Sequence, residues 1–527
     1  MQKSLLNRTK SQSFSKFSNE FLYNNSVFTD FIQAEFSISN IGKQIEIKKS
    51  FDTNKRSLLN ESLKQQYQSI LVNKEVQVNI DSLLDEKTFT VTTGHQLNLF
   101  TGPIYFLYKI IHTLKLAERL KLEFPSNHFV PIYWMASEDH DFEEINHTYL
   151  YNQKIEFKTD QIGPVGSFEL ENWSEIQASV AAFFANHPES KIHELIQSYS
   201  GKDLAEATFK LVHELFKNYG LVILDANNAA LKTEFVPVLL REVEESFSEK
   251  FVLATNEKLE KLGYKPQIYA RPINLFYCAK GFRERIIFEN GVYSTEHLGT
   301  KSIEELKKLI QDKPENFSPN VVLRPVYQET ILPNLVYIGG GAEIAYWTQL
   351  KAVFDTLNLP FPLLQVRNSV QVFDKNAQKK LAKLNLSIET IFENVQDLKN
   401  QFVKDNLKQE IDFTALEEKA MQLQGELNHV ITSFDVNLKN FAEAENVKII
   451  KQLEGIKSKI QKIQKSQFDA ELKMLEDLKT KLFPNGGLQE RLDNFLNFCP
   501  DGDYVSFISL THEVIDPLEK DLILVEL

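Results

Sequence analysis

An acidic cluster with a histidine at its centre is the set of side chains best suited to acid–base chemistry. The cluster is SEDHDFEE, residues 137–144, and Asp139, His140 and Asp141 follow one another in it. Neighbouring carboxylates stabilise a protonated imidazole, so this segment could supply a general base, and carboxylate oxygens can also bind a divalent cation. A solvated acidic helix N-terminus would explain the same residues, because negative charge is favourable there.

A second candidate is the segment Thr93-Gly94-His95-Gln96. It follows a short β-prone run, Phe89–Thr92, and precedes a helical pattern in whose first turn Pro103 is expected to lie. Backbone N–H groups and an imidazole at such a junction can bind an anionic or polar ligand. A loop histidine that only caps the next helix is the alternative.

Three consecutive glycines form a third candidate. Gly339-Gly340-Gly341 stands shortly before Glu343, and glycine lets the backbone approach a phosphate or carboxylate closely at a helix N-terminus. The run matches neither the dinucleotide fingerprint nor the P-loop, so a plain tight turn is the alternative. Tyr346 and Trp347 could stack on a nucleotide base, although aromatic residues on a helix are more often core.

Two arginines could hold an anionic group of a ligand. Arg324 is followed by Gln328 one helical turn later, and Arg367 follows the apolar run Leu363–Val366. A guanidinium matches the geometry of carboxylate and phosphate groups. Structural ion pairs are the alternative for both arginines.

Alternating strands and helices must bring these groups together. Several short apolar runs are each followed by polar or glycine residues and then by a helical pattern, which predicts an α/β fold with a mostly parallel sheet. Ligands of such sheets bind at the carboxyl ends of the strands. The runs are Phe89–Thr92, Phe129–Met135, Leu221–Leu224 and Leu335–Ile338.

We predict that residues 1–374 form this core. The first 85 residues are expected to make a helical layer, and two segments punctuated by Gly and Pro, about 145–200 and 262–320, look like insertions with short strands. The last segment, 483–527, is expected to return to the core. In it, Tyr504–Leu510 and Leu522–Leu527 are predicted to be strands.

A proline-free segment, residues 375–482, predicts a long antiparallel helical coiled-coil arm. Apolar residues repeat at heptad spacing in two runs, Leu416–Phe434 and Ile449–Ile463. We expect two long helices joined near residues 440–446, with a further helix around 388–403 before them. The heptad seams are predicted to be core or a dimer interface.

Composition narrows the class of protein. The chain has 59 Lys plus Arg against 72 Asp plus Glu, a net charge of -13, which argues against nucleic acid as a main partner. No apolar run reaches the roughly 18 residues of a membrane span, and the N-terminus lacks a signal-peptide core, so a cytoplasmic protein is expected. Cys278 and Cys499 are the only cysteines, which argues against a Cys-based zinc site and favours small buried residues.

Four segments together resemble the cysteine ligase family of bacillithiol biosynthesis. They are TTGHQLNLFTGPIYFLYKI, PIYWMASEDHDFEEIN, LGYKPQIYARPINLFY and LRPVYQETILPNLVYIGGGAEIAYWTQLK. Their order and spacing agree, as does the terminal coiled coil, and the resemblance covers essentially the whole chain. It implies a Rossmann-like core with inserted connecting segments, similar to class I aminoacyl-tRNA synthetases, and a coiled coil that supports a homodimer.

The resemblance also implies a reaction. It is the addition of cysteine to the amino group of glucosaminyl malate, the last step of bacillithiol biosynthesis. A free carboxylate must be activated before it forms an amide, so ATP, released as ADP or AMP, is expected with Mg²⁺. The intermediate would be cysteinyl adenylate or cysteinyl phosphate.

The resemblance gives the candidate residues provisional roles. His95 would stabilise charge on the transferring phosphate, His140 or Asp141 would be the general base beside Asp139, and Arg324 would hold a carboxylate of the malyl group. Gln96, Gln328 and Arg367 are further substrate-binding candidates. The nucleotide-binding candidates are Gly94, Gly339, Gly340, Gly341, Glu343, Tyr346 and Trp347, and no dedicated metal ligand is assigned.

Two other functions remain open at this point. A metal-dependent hydrolase could use the Glu138–Asp141 cluster, and it would hold metal tightly and bind no nucleotide. A non-catalytic dimeric scaffold would depend on the coiled coil alone. Alanine at His140 and Asp141 would leave the cellular role of such a scaffold intact.

Overall fold

The structure is a computed structural model that describes residues 2–407 and 412–527. The chain divides into two compact units. One comprises Met1–Val372 with Gly487–Val525, and the other comprises Phe373–Gly486 with Glu526–Leu527. The candidate site residues all belong to the first unit, and the heptad runs belong to the second.

The described residues contain sixteen strands and 23 α-helices. The strands are β1 (Gln2–Leu6), β2 (Thr88–His95), β3 (His128–Met135), β4 (His147–Leu150), β5 (Gln153–Glu156), β6 (Val222–Asp225), β7 (Leu275–Ala279), β8 (Phe282–Arg285), β9 (Ile287–Glu289), β10 (Val292–Thr295), β11 (Gly299–Lys301), β12 (Phe317–Pro319), β13 (Asn334–Gly339), β14 (Leu363–Val366), β15 (Val370–Phe373) and β16 (Leu522–Glu526). The helices are α1 (Arg8–Ser11), α2 (Lys16–Tyr23), α3 (Ile38–Lys48), α4 (Thr53–Gln66), α5 (Lys74–Ser82), α6 (Tyr105–Glu123), α7 (Phe142–Ile145), α8 (Trp173–Ala181), α9 (Ile192–Ser198), α10 (Leu204–Phe216), α11 (Ala229–Thr233), α12 (Val236–Glu245), α13 (Phe247–Lys261), α14 (Ile303–Asp312), α15 (Arg324–Ile331), α16 (Gly341–Thr348), α17 (Lys351–Thr356), α18 (Lys375–Leu384), α19 (Val395–Asn406), α20 (Thr414–Phe434), α21 (Lys439–Ser466), α22 (Asp469–Leu482) and α23 (Tyr504–Val514).

A five-stranded sheet is the centre of the first unit. Its order is β14-β13-β2-β3-β6, and every neighbouring pair is parallel. Parallel strands covered on both faces are apolar along their length, which is why these segments are recognisable as short hydrophobic runs. The predicted α/β class and mostly parallel sheet are confirmed. The core on one face gathers Ile41, Ile45, Phe89, Val91, Leu116, Leu120, Leu335 and Ile338.

The strand order reverses between β2 and β13. From β2 the chain adds β3 and then β6 on one side, whereas β13 and β14 lie on the other side. Thr93 pairs with Ile338, so the residues that follow each strand lie next to one another. Such a reversal opens a crevice at the carboxyl ends of the strands, where α/β proteins bind ligands.

Helix α6 follows β2 after a tight loop. Phe100 and Thr101 have positive φ, as does Gly102, where a Cβ would lie 2.6 Å from Asn98 Cβ. Asn494 fixes this loop by donating to the carbonyls of Phe100 and Gly102. The helix therefore begins at Tyr105. Pro103 precedes it, and the prediction that Pro103 lies in its first turn is wrong.

The two predicted insertions contain short strands, as expected. Residues 145–200 include the hairpin of β4 and β5, and residues 262–320 include the antiparallel sheets β12-β7-β8 and β11-β10-β9. The N-terminal layer is helical except for β1. This strand pairs with β16 in the sheet β1-β16-β15, and the sequence analysis did not predict it.

Of the two strands predicted in the C-terminal segment, one is confirmed and the other is wrong. Leu522–Glu526 is a strand, but Tyr504–Leu510 belongs to helix α23. The Asp503 side chain accepts a hydrogen bond from the Ser506 N–H and caps that helix, and its buried Phe507 and Thr511 are one turn apart. A short run of apolar residues does not distinguish strand from helix by itself.

Helices α20 and α21 are antiparallel in the second unit. Asn446 donates to Asn428 and Lys457 donates to Glu417, so residues later in α21 meet residues earlier in α20. The connection lies at residues 435–438 rather than near 440–446, because the Asp435 side chain caps the turn there. Helix α19 likewise begins at Val395 rather than near 388, after the cap Asn394.

Two global features complete the fold. Cys278 and Cys499 are buried free thiols, as predicted, and burial raises the pKa of Cys278 to about 11. Within residues 2–407 and 412–527, each helix is too short or too polar to cross a bilayer.

Candidate active site

A cavity of about 930 Å³ opens at the carboxyl ends of β2, β3 and β13. It lies at the reversal of strand order, where the fold predicts a ligand. Most of the candidate residues line it: Gly94, His95, Gln96, Asp139, His140, Asp141, Arg324, Gly340, Gly341, Glu343, Tyr346 and Arg367. The sheet therefore brings together segments that are more than 200 residues apart in the chain.

Asp139 organises the loop after β3. Its carboxylate accepts hydrogen bonds from Gln96 Nε2 at 2.8 Å and from the His140 N–H at 2.7 Å. Burial raises the pKa of Asp139, but the His140 ring, the Gln96 amide and the His140 backbone outweigh it and lower the pKa to about 2. Asp139 is therefore ionised, and its oxygens are occupied by neighbours.

The other members of the acidic cluster have different surroundings. Glu138 forms a largely buried ion pair with Lys232, which neutralises its charge. Asp141 is exposed at the cavity, and its Oδ1 lies 3.9 Å from His140 Nε2. His140 Nδ1 lies 2.7 Å from an arginine nitrogen, Arg283 Nη1.

The cluster fits a metal ion only in part. Asp139, His140 and Asp141 each offer one ligand atom, and these atoms lie within 4.8 Å of one another. Arg283 already occupies the Nδ1 side of the imidazole, and Asp139 is already hydrogen-bonded. Of the two carboxylates in this cluster, Asp141 is therefore the one that is freer to bind a ligand.

His95 is held as a neutral imidazole. Its ring packs against Tyr105 and Phe106, with centroids 5.2 and 5.0 Å away. Burial, followed by the positive charges of Lys109 and Arg367, lowers the pKa of His95 well below its usual value. His95 can therefore hydrogen-bond a phosphate, but it does not bring a positive charge to it.

Lys109 joins the two loops of the crevice, and the sequence analysis did not identify it. Its Nζ donates to the Gly94 carbonyl at 2.5 Å and to Glu343 Oε2 at 2.7 Å. Glu343 also accepts from the Gly340 N–H and the Tyr337 hydroxyl. Burial raises the pKa of Glu343, but Lys109 lowers it overall. Glu343 thus links the start of α16 to the end of β2 through Lys109, and its predicted role in nucleotide binding stays a prediction.

The glycines at the ends of β2 and β13 are closely packed. A Cβ on Gly94 would lie 3.3 Å from the Tyr337 hydroxyl, and one on Gly339 would lie 3.0 Å from Glu343 Cβ. Gly340 caps helix α16, and the first residues of the helix, Gly341–Glu343, line the cavity. Gly339 itself is buried in β13 and does not line the cavity.

Arg324 is a cation at the crevice without an acidic partner. Its Nη1 donates to Gln328 Oε1 at 3.1 Å, and its Nη2 lies 3.4 Å from the Tyr346 hydroxyl. The rings of Trp134 and Tyr337 lie within 5.8 Å of its guanidinium carbon. None of the described carboxylates forms an ion pair with it, so an anionic ligand would be its counter-charge.

Two predicted ligand contacts are wrong. Trp347 is 0% exposed and stacks on Tyr337 at 4.3 Å, so it belongs to the core rather than to a base-binding surface. Gln328 is also 0% exposed, and it supports Arg324 while donating to Glu329. Neither side chain lines the cavity.

Arg367 is mainly a structural cation. It lines the cavity, yet it forms a bidentate, buried ion pair with Glu490 at 2.8 and 3.0 Å. The alternative interpretation of Arg367 as part of an ion pair is therefore the one that the structure supports. Its guanidinium also lies 5.0 Å from the Tyr105 ring.

A cationic wall of the cavity was missed by the sequence analysis. Its four arginines line the cavity, and the carboxylates of Glu138, Asp139 and Asp141 act on the charge of Arg283. Three come from the insertion at 262–320 and the fourth from the C-terminal segment, and no local pattern marks them. They are Arg271, Arg283, Arg285 and Arg491.

Comparison with known families assigns the whole chain. Residues 1–368 match the family model described as "Bacillithiol biosynthesis BshC, N-terminal Rossmann-like domain". Residues 370–527 match "Bacillithiol biosynthesis BshC, C-terminal coiled-coil domain". The two models meet at the end of the parallel sheet.

Relatives from several bacteria match over most of their length. Proteins of Flavobacterium johnsoniae and Christiangramia forsetii, each named "Putative cysteine ligase BshC", are 41% and 40% identical over 491 and 499 residues. These alignments cover 92% of this chain and 92% and 91% of the relatives. A protein of the same name from Bacillus mycoides is 30% identical and covers 79% of this chain. The chain therefore belongs to the BshC family of bacillithiol biosynthesis.

Proposed function

We propose that this protein is an ATP-dependent ligase that adds cysteine to glucosaminyl malate, the last step of bacillithiol biosynthesis. The observation that carries the proposal is that one cavity is lined both by Arg324, which has no ion-pair partner among the described carboxylates, and by an acidic strand end. Anionic substrates and an amine that must lose a proton need both kinds of group. Family membership supplies the substrate class, since its curated members are named cysteine ligases.

The proposed reaction has two steps, activation of the cysteine carboxylate and formation of the amide. The cysteine carboxylate attacks a phosphorus of ATP and expels either ADP or pyrophosphate, which leaves cysteinyl phosphate or cysteinyl adenylate. The amine of glucosaminyl malate then forms the C–N bond, and phosphate or AMP departs with the electron pair of the broken C–O bond. The amine proton goes to a base, which we place in the Asp139–Asp141 segment.

The cavity supplies binding groups for each anionic part. The N–H groups around Gly341 and the neutral imidazole of His95 are positioned to donate hydrogen bonds to phosphate oxygens. Arg324 would hold a malyl carboxylate, with the other cavity arginines nearby. Gln96 keeps Asp139 in place and, through it, the loop after β3.

Mg²⁺ is expected with the nucleotide, because magnesium usually takes many of its ligands from phosphates and water. The protein offers a partial site at best, since Asp139 is hydrogen-bonded and His140 faces Arg283. The chain's own contribution is to bind and orient the substrates and to accept the proton.

The coiled coil would support a homodimer. Half of the predicted seam stays exposed in the single chain: Leu416, Leu423, Val430 and Phe434 on α20 are 51%, 47%, 63% and 87% exposed. Ile456 and Ile463 on α21 are 56% and 55% exposed. An apolar stripe of this kind is typical of a surface that a second copy covers.

The compartment that we propose is the cytoplasm.

Calorimetric titration tests the proposal directly. ATP, ADP, cysteine and glucosaminyl malate are added in turn with Mg²⁺ present, and the product is followed by mass spectrometry. We expect nucleotide binding and an ATP-dependent cysteinyl amide. Tightly held metal without nucleotide binding would indicate the hydrolase, and a cellular role that survives alanine at His140 and Asp141 would indicate the scaffold.

A further inference from the structure

Arg283 is held rigidly beside the acidic cluster. Its guanidinium carbon lies 3.8 Å from the centre of the Phe276 ring, in a stacked arrangement. Its Nη2 lies 3.3 Å from Ser318 Oγ and 3.4 Å from the Pro319 carbonyl. With these contacts made, Nη1 lies 2.7 Å from His140 Nδ1, which is the shortest polar contact of Arg283.

This contact determines where the imidazole carries its proton. A guanidinium has only donors and stays protonated in proteins, so Nδ1 must offer its lone pair to Arg283. The ring proton is therefore on Nε2. Asp139 Oδ1 lies 3.7 Å from Nδ1, beyond hydrogen-bond distance, and does not compete with the guanidinium.

We infer that Arg283 is a positioning residue that fixes His140 as a hydrogen-bond donor through Nε2, and that Asp141 is the general base. The inference deepens the ligase function proposed above and rests on it. As the amine adds to the activated cysteinyl carbonyl, the carbonyl oxygen gains negative charge, and a fixed N–H donor stabilises it. Asp141 accepts the proton that the amine nitrogen loses as the C–N bond forms.

Asp141 suits the role of base better than its neighbours. An imidazole whose Nδ1 faces a guanidinium and whose Nε2 carries a proton has no lone pair left for the amine. Asp139 has its oxygens occupied by the Gln96 amide and by backbone N–H groups, so it is less free to accept a proton from the substrate. Asp141 is exposed at the cavity, so its carboxylate can reach the substrate.

The tautomer can be measured without any turnover. Protein labelled with ¹⁵N-histidine gives the nitrogen shifts of His140, assigned by their loss in His140→Gln. We expect an acceptor-type shift for Nδ1 and a donor-type shift for Nε2. Arg283→Met should remove this bias and Arg283→Lys should restore part of it. Arg285→Met, on the same strand two residues away, is the matched control and should leave the His140 shifts unchanged.

Kinetics tests the roles of donor and base. Loss of the donor in His140→Ala should lower kcat by about 10²–10³ with little change in KM, and His140→Gln should recover part of kcat because its amide can donate. Asp141→Asn should lower kcat by about 10²–10⁴.

Two results would overturn the inference while the ligase function stands: a donor-type shift at Nδ1 in the wild-type protein, or equal loss of kcat in the Gln and Ala variants. The absence of any ATP-dependent amide from the wild-type protein would instead refute the proposed function. In that case the donor role of His140 and the base role of Asp141 would be refuted as well. The ¹⁵N shifts of His140 would still decide whether Arg283 sets its tautomer.

Discussion

The same substitution at two arginines of the cavity should affect stability and ligand binding in opposite orders. Arg324→Met removes a cation that has no acidic partner in the described structure, and it leaves one neutral acceptor, Gln328 Oε1, without its donor. That should lower the free energy of unfolding by about 1–3 kcal/mol. Arg367→Met leaves Glu490, a fully buried carboxylate, without its bidentate partner. Breaking a buried pair in this way should destabilise by about 3–5 kcal/mol.

The order reverses for binding. Charge-assisted hydrogen bonds contribute about 1.5–3 kcal/mol, so Arg324→Met should weaken glucosaminyl malate binding by about 10- to 150-fold. ATP affinity should change by less than about threefold, and folded Arg367→Met should bind both ligands nearly as the wild type does. Urea denaturation and calorimetric titration of both variants measure the two quantities. Unchanged glucosaminyl malate affinity in Arg324→Met, or loss of ATP affinity alone, would refute the role we give Arg324.

Further substitutions address other parts of the structure. The folded-state pKa of Asp139, about 2, lies below its ordinary value of 3.8, so the ionised carboxylate stabilises the fold fully above pH ~4 and this stabilisation is lost as pH falls through 2. In urea titrations over that range, the free energy of unfolding of the wild type should fall by about 2 kcal/mol relative to that of Asp139→Asn. Lys109→Met removes the contacts of Lys109 with the Gly94 carbonyl and Glu343, here called the Lys109–Glu343 clasp, and should weaken ATP binding at least tenfold in calorimetric titration. Unchanged ATP binding would show that the clasp is not needed for the site. Leu423→Glu should shift the protein towards monomer in light scattering, whereas Lys419→Glu, an exposed charge change on the same helix, should not. Trp347→Ala should lower stability by about 3–5 kcal/mol, and stability close to the wild type would contradict its place in the core.

The sequence predicted the sheet well because buried parallel strands are short, continuous apolar runs. Phe129–Met135 and Leu335–Ile338 were located to within a residue at each end, and the polar residues after such strands marked the cavity. Boundaries set by single capping side chains were less predictable. The Asp503 cap starts a helix where a strand was predicted, and the Asp435 cap moves the predicted connection between α20 and α21. Each depends on one side-chain hydrogen bond, and the spacing of apolar residues does not show such a bond.

Within the site, residue type was predictable and orientation was not. Trp347 and Tyr346 are adjacent, yet one is core and the other lines the cavity, because successive helical positions point in directions about 100° apart. Arg283 lies in an insertion whose path depends on long-range packing, so nothing near it in the sequence indicates its contact with His140. Lys109 did carry a signal, since a lysine within the apolar pattern of α6 must find a buried partner.

The Lys109–Glu343 clasp also determines when the site can exist during synthesis of the chain. The two residues are 234 positions apart, and β13 must dock beside β2 before the carboxylate reaches the ammonium. A nascent chain or fragment that ends before residue 334 has the loop after β2 but not the counter-charge for Lys109. The crevice is therefore among the late-forming parts of the first unit, and a fragment that ends before residue 334 would not preserve it.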